Sequence, residues 1–128
     1  MVLVESNHPD EVEEFEAELT PALIAEDREF VNANDEGVDV FASFKEVQGA
    51  AALPDMPLVV VTAGASDGWP PGWEAKVFDR LRSEQQADLA NMVTDGTHLI
   101  ARKSSHDVPL QQPSVVVRAV EIVLAKSR

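Results

Sequence analysis

The run Leu58 to Ala63, LVVVTA, constrains this chain more than any other stretch. A continuous apolar segment of this kind is what a parallel strand needs when helices cover both of its faces, whereas a strand with one wet face alternates. Two further short runs read the same way. Val2 to Val4 form a strand ending in Glu5, and Leu99 to Ala101 form another that follows the Asp95-Gly96 turn. Helical patterns separate the three. Strands alternating with helices imply parallel βαβ units with right-handed crossovers, so the predicted class is α/β.

The intervening helices are read from apolar spacing. From Asp10 to Leu19, Val12, Phe15 and Leu19 recur at intervals of three and four among glutamates, which predicts one narrow buried stripe with Glu11, Glu13, Glu14, Glu16 and Glu18 on a solvated face. Thr20-Pro21 restarts a helix through Leu23, Ile24 and Phe30, and the Asn32 to Gly37 cluster breaks it. A third helix spans Val40 to Gln48, and Gly49 to Pro57 is a connector. A long helix from about Trp73 to Met92 turns Val77, Phe78, Leu81, Leu89 and Met92 inward. The last helix carries Val116, Val117, Val120, Val123 and Leu124 and reads as largely buried.

At 128 residues the chain is one domain with one modest core. A hydrophobic fraction of 45% against 26% charged residues is ordinary for a folded protein. The formal net charge of -13 is not, and it argues against nucleic acid and anionic membranes, because phosphate is bound by clustered Lys and Arg. Here the basic residues are scattered behind an acidic first third. With no cysteine, disulfides, thiolate zinc sites and cysteine nucleophiles are excluded, and a cytoplasmic location is expected. No run approaches the ~20 apolar residues of a membrane span. A complete strand pattern at Met1 to Val4 suggests a chain cut from something longer.

The last third concentrates the chemistry. Leu99 to Ala101 deliver the chain to a polar loop, Ser104 to Asp107, and Pro113 opens a helix. In open α/β sheets function gathers beyond the carboxyl ends of strands, and His106 stands there. The other two histidines have simpler readings: His8 is a turn residue before Pro9, and His98 sits at the start of a strand. Their spacing is not that of a metal site, and neither a metal nor a cofactor is expected. Trp69 and Trp73 flank a Pro-Pro-Gly loop as packing or lid contacts.

In order, VLVESNHPDE, an acidic helical insertion, LPDMPLVVVTAG and SSHDVPLQQPSVVVRAVEIVL resemble the C-terminal half of an α/β-hydrolase, from its sixth strand to its final helix. The resemblance covers nearly the whole chain. It implies a single partial hydrolase domain over 1–128, with 10–52 as a cap or lid bounding the substrate pocket. It also implies that His106 is the triad histidine. The acid is Glu5, after the first strand, or Asp67, after the second; the strand-acid-small-small-His-Pro pattern of VLVESNHPDE fits the family better. The oxyanion loop and nucleophile elbow of such an enzyme would lie upstream of Met1. With a serine nucleophile the pair would activate its hydroxyl; with an aspartate nucleophile, as in dehalogenases and epoxide hydrolases, it would activate water.

One local motif competes with that arrangement. Gly64-Ala65-Ser66-Asp67-Gly68 matches G-x-S-x-G after a strand, so Ser66 is a candidate nucleophile of a self-contained enzyme. Trp69 to Gly72 intervene before the next helix, however, and deny Ser66 a helix N-terminus. Two functions follow as expectations: a hydrolase of esters or related small apolar substrates, or a non-catalytic acidic α/β binding module. An unpaired first strand would also invite homodimerisation through its edge.

Overall fold

The computed structural model describes residues 1–128. Three parallel strands, β1 (Val2–Val4), β2 (Leu58–Ala63) and β3 (Gly96–Ala101), lie side by side in chain order. Val2 to Val4 pair with Val59 to Val61, and Leu58 to Ala63 pair with Gly96 to Ala101. Six helices connect and cover them: α1 (Glu11–Glu16), α2 (Pro21–Asn32), α3 (Val40–Gln48), α4 (Ala75–Asn91), α5 (Val108–Gln111) and α6 (Pro113–Lys126). The chain is an α/β protein of three layers, with α4 on one face of the sheet and α6 on the other.

The apolar run of β2 is explained by that sandwich. Leu58 to Val61 are fully buried, and their side chains alternate between two cores. Leu58 and Val60 pack with Leu89, Ala90 and Val93 at the C-terminal end of α4. Val59 and Val61 pack with Ala101, Val108 and the α6 residue Ala119. Two glycines permit the close fit. A Cβ at Gly96 would lie 1.7 Å from the Ala90 carbonyl oxygen, so the start of β3 passes directly under the end of α4. A Cβ at Gly64 would meet the Arg102 Cα at 2.6 Å, where the chains leaving β2 and β3 touch.

Helices α1 to α3 form the insertion between β1 and β2. Thr20 caps α2 and Asp39 caps α3, each accepting a backbone N–H from the first turn. Neither α2 nor α3 contains a buried residue, so this layer is held by polar contacts as much as by packing. Arg28 binds Glu16 through both carboxylate oxygens at 2.6 and 3.0 Å and lies 4.6 Å over the Phe41 ring.

Several sequence readings need correction. The last helix is not largely buried: Val117, Val120 and Leu124 are 56%, 43% and 55% exposed. A single helix lays only one face on the sheet, here Val115, Val116, Ala119, Ile122 and Val123, and nothing covers the other. Met92 lies just beyond α4, as its C-cap, and is exposed. The predicted helix from Asp10 to Leu19 ends at Glu16, and the long helix begins at Ala75 because Trp73 is held in a turn with Pro70. Glu11 is not part of the solvated glutamate face. Burial raises its pKa, and its Oε2 is enclosed without a hydrogen-bond partner.

No helix is long and apolar enough to cross a membrane. The outer side of β1 is unpaired. Met1 O and Glu5 N bond to β2, so the alternation of the strand points the N–H and C=O of Val2 and Val4 outward.

Candidate active site

Glu5 leaves β1 in an unusual backbone conformation. Its N–H continues the ladder to Val61 O at 2.9 Å, and its φ of 51° then places it in the left-handed region, the only non-glycine residue there. This turns the side chain under the strand ends, where it is 5% exposed. Three donors hold the carboxylate. The Ala63 N–H donates to Oε1 at 2.6 Å, and the Arg82 Nη2 of α4 donates to Oε2 at 2.7 Å. His106 Nδ1 approaches the same Oε2 at 3.2 Å.

The histidine arrives from the opposite end of the chain. The loop after β3 is pinned by buried Ser104, whose N–H bonds Ala101 O and whose carbonyl accepts from Ala65 N. Two glutamines just ahead of α6 complete the clamp. Gln111 Oε1 accepts from Ser105 N and Gln112 Oε1 accepts from Lys103 N. The imidazole is itself 69% exposed, so a buried carboxylate supports an open ring. With Nδ1–H assigned as the donor to Glu5, Nε2 carries the free lone pair, and it makes no hydrogen bond within the chain. This is the arrangement of a general base oriented by an acid.

The other expected site residues line the same cleft, of about 570 Å³, as Glu5 and His106. Asp67 reaches the backbone of His106, accepting from its N–H at 3.2 Å, and makes no hydrogen bond to its ring. Ser66 Oγ accepts from Gly68 N at 3.0 Å within the loop, and α4 starts only at Ala75, so no helix N-terminus stands behind the serine. No hydrogen bond links Ser66 to His106.

Arg82 and His98 escaped the sequence reading. Arg82 sits on a charged stretch of α4 that looks solvated, and nothing in its spacing marks it as the partner of Glu5. His98 lies in the middle of β3 opposite Val60, not at a strand start, and it reaches the cleft. Its Nε2 lies 2.8 Å from Thr62 Oγ1, whose hydroxyl donates to Gln86 Oε1 at 3.1 Å, and Gln86 Nε2 donates to Ser6 O at 2.6 Å. Because the threonine proton is spent on Gln86, His98 must donate, which fixes its Nε2–H tautomer. Burial lowers its pKa and keeps the ring neutral.

His8, read from sequence as a turn residue, is buried at 6% exposure. Its Nδ1 accepts from Asp10 N and its Nε2 meets Asp88 Oδ2, each at 3.1 Å, so it ties the loop after β1 to α4. Trp69 stacks on Trp73 with centroids 5.9 Å apart and planes 7° apart. Phe15 of α1 and Phe78 of α4 complete this aromatic cluster, which anchors the loop after β2. No three His, Asp or Glu side chains are grouped to hold a metal ion.

Fold and site together define an α/β protein with a carboxylate–imidazole pair at the carboxyl edge of a short parallel sheet. No protein-family model, curated protein or solved structure matches this chain.

Proposed function

We propose that this chain carries the acid and histidine of an α/β-hydrolase-type enzyme acting on esters or related small substrates. The observation that carries the reading is the contact between buried Glu5 Oε2 and the open imidazole of His106. In this reaction His106 Nε2 removes a proton from the attacking oxygen as that oxygen adds to the ester carbonyl. Glu5 stabilises the resulting imidazolium, and the same proton then passes to the departing alkoxide. The attacking oxygen belongs to water or to a nucleophile outside this chain, since Ser66 does not meet the ring. Helices α1 to α3 stand where such a cap would be inserted but contribute no residue to the cleft lining, and only Phe15 of α1 reaches it indirectly, by packing on Trp69.

That open position in front of Nε2 also supports a second reading, an acidic α/β module that binds a ligand in the cleft without turning it over. Hydrolysis of 4-nitrophenyl acetate and butyrate separates the two. The test uses the chain alone and the chain joined to a nucleophile-bearing half. Turnover that disappears in His106→Ala and persists in Ser66→Ala supports the proposed pair, while loss in both variants assigns Ser66 as nucleophile. Absence of turnover in every combination leaves the binding module.

A further inference from the structure

We infer that the cleft selects substrates carrying an organic ammonium group, with the cation received between Asp67 and Asp79 beside Trp69. The inference rests on the reading that this cleft is the substrate site, and it adds the charge class of what enters.

The charge balance of the cleft is the first support. Glu5, Asp67 and Asp79 line it against one guanidinium, Arg82, and that cation is held by Glu5 at 2.7 Å. Asp67 and Asp79 have no cationic partner. Each uses a single oxygen as acceptor, Asp67 Oδ2 from the His106 N–H and Asp79 Oδ1 from the Trp69 indole at 2.7 Å, which leaves the second oxygen of each free. Of the two histidines in the cleft, burial disfavours a positive charge on His98.

The second support is the aromatic wall. Trp69 is fixed by its stack on Trp73 and by its bond to Asp79, so it lines the cleft without having to be ordered on binding. An indole attracts an ammonium through its ring quadrupole, and free carboxylate oxygens accept its N–H donors. Ile100, 49% exposed on β3, offers apolar surface for an alkyl body. At longer range the net charge of -13 concentrates cations around the protein and repels anions.

The test compares three probes of equal chain length, n-butylammonium, n-butanol and butyrate, titrated into the intact chain at low salt. Shifts of the Trp69 indole resonance are followed by NMR. The expected order is ammonium, then alcohol, then carboxylate, with the ammonium roughly tenfold tighter than the alcohol and its advantage shrinking as salt is added. Equal affinities, or tighter binding of butanol or butyrate, would overturn the inference. The double variant Asp67→Asn, Asp79→Asn keeps acceptors at both positions and should remove the preference. Because the titration reads no turnover, it separates from the hydrolase test: an enzyme indifferent to substrate charge would defeat only this inference, and ammonium preference without catalysis would defeat only the hydrolase reading.

Discussion

Arg82 and His106 share one carboxylate oxygen: both approach Oε2 of Glu5, at 2.7 and 3.2 Å, while Oε1 is taken by the Ala63 N–H. The acid is thus fixed by the Ala63 N–H and Arg82 before any substrate arrives. Its orientation does not depend on the exposed ring it supports.

Removing the charge of Glu5 tests that arrangement. Glu5→Gln is expected to lower kcat/KM for an activated ester by roughly 10³ to 10⁴, the scale seen when a triad carboxylate becomes a neutral isostere. Long-range ¹H–¹⁵N correlation should find the neutral ring of His106 protonated at Nδ1 in the native chain, with that preference lost in Glu5→Ala. A native ring protonated at Nε2 would count against the assigned role.

Gly96→Ala is expected to be among the most destabilising single-methyl additions in the protein. The new Cβ would fall 1.7 Å from a backbone oxygen of α4, which no side-chain rotation can relieve. Overpacking costs typically 1–3 kcal/mol, and about 3 kcal/mol is expected here. Urea unfolding should show a lower midpoint with an unchanged slope.

Burial raises the pKa of Glu11, so the folded chain holds that proton more tightly than the unfolded one. The associated stability is fully present below the unfolded value of about 4.5 and is lost as pH rises through the folded value. Glu11→Gln should therefore stabilise the protein at neutral pH and give little or no gain near pH 3, measured as Tm across a pH series.

His98 has the opposite sign. Its pKa is lowered by burial, so its contribution is present above the unfolded value of about 6.5 and falls away as pH drops through the folded one. His98→Gln should flatten this part of the acid limb in the same series.

The outward amides of Val2 and Val4 lie symmetrically about Leu3, so a second copy can pair with them antiparallel across a two-fold axis. Sedimentation equilibrium is expected to show a dimer that strengthens with added salt, because two chains of net charge -13 repel each other. Val4→Pro removes an outward N–H without breaking a bond to β2 and should give a monomer.

How much of this was legible in the sequence depended on how far each signal stayed local. The unbroken apolar run of β2 can be satisfied only in a sheet covered on both faces, and that is where it lies. Helix α2 followed from Thr20-Pro21, and α3 was read over Val40 to Gln48, the bounds it has in the fold. Burial on α6 was overread because Val115 to Val117 present β-branched residues around more than half the helix, and periodicity then cannot say which face is covered. Glu5 and His106 could be named from their places after strands, but Arg82 could not. Its partner lies 77 positions away, and an arginine among Asp79, Arg80 and Glu84 has the pattern of a wet helix surface. His98 was misplaced for a related reason: three residues of β3 precede the apolar triplet, and the strand lengthens because Gly96 lets it slide beneath α4.

The left-handed backbone at Glu5 sets local strain against the role proposed for its carboxylate. A residue with a Cβ pays roughly 1–2 kcal/mol to sit there, whereas glycine does not. A library randomised at position 5 and screened only for thermal resistance would weigh relief of that strain against the bonds the carboxylate makes to the Ala63 N–H and Arg82, while the same library screened for turnover should return to an acid. The distance between the winners of the two screens would measure the net stability that the carboxylate gives to, or takes from, the fold.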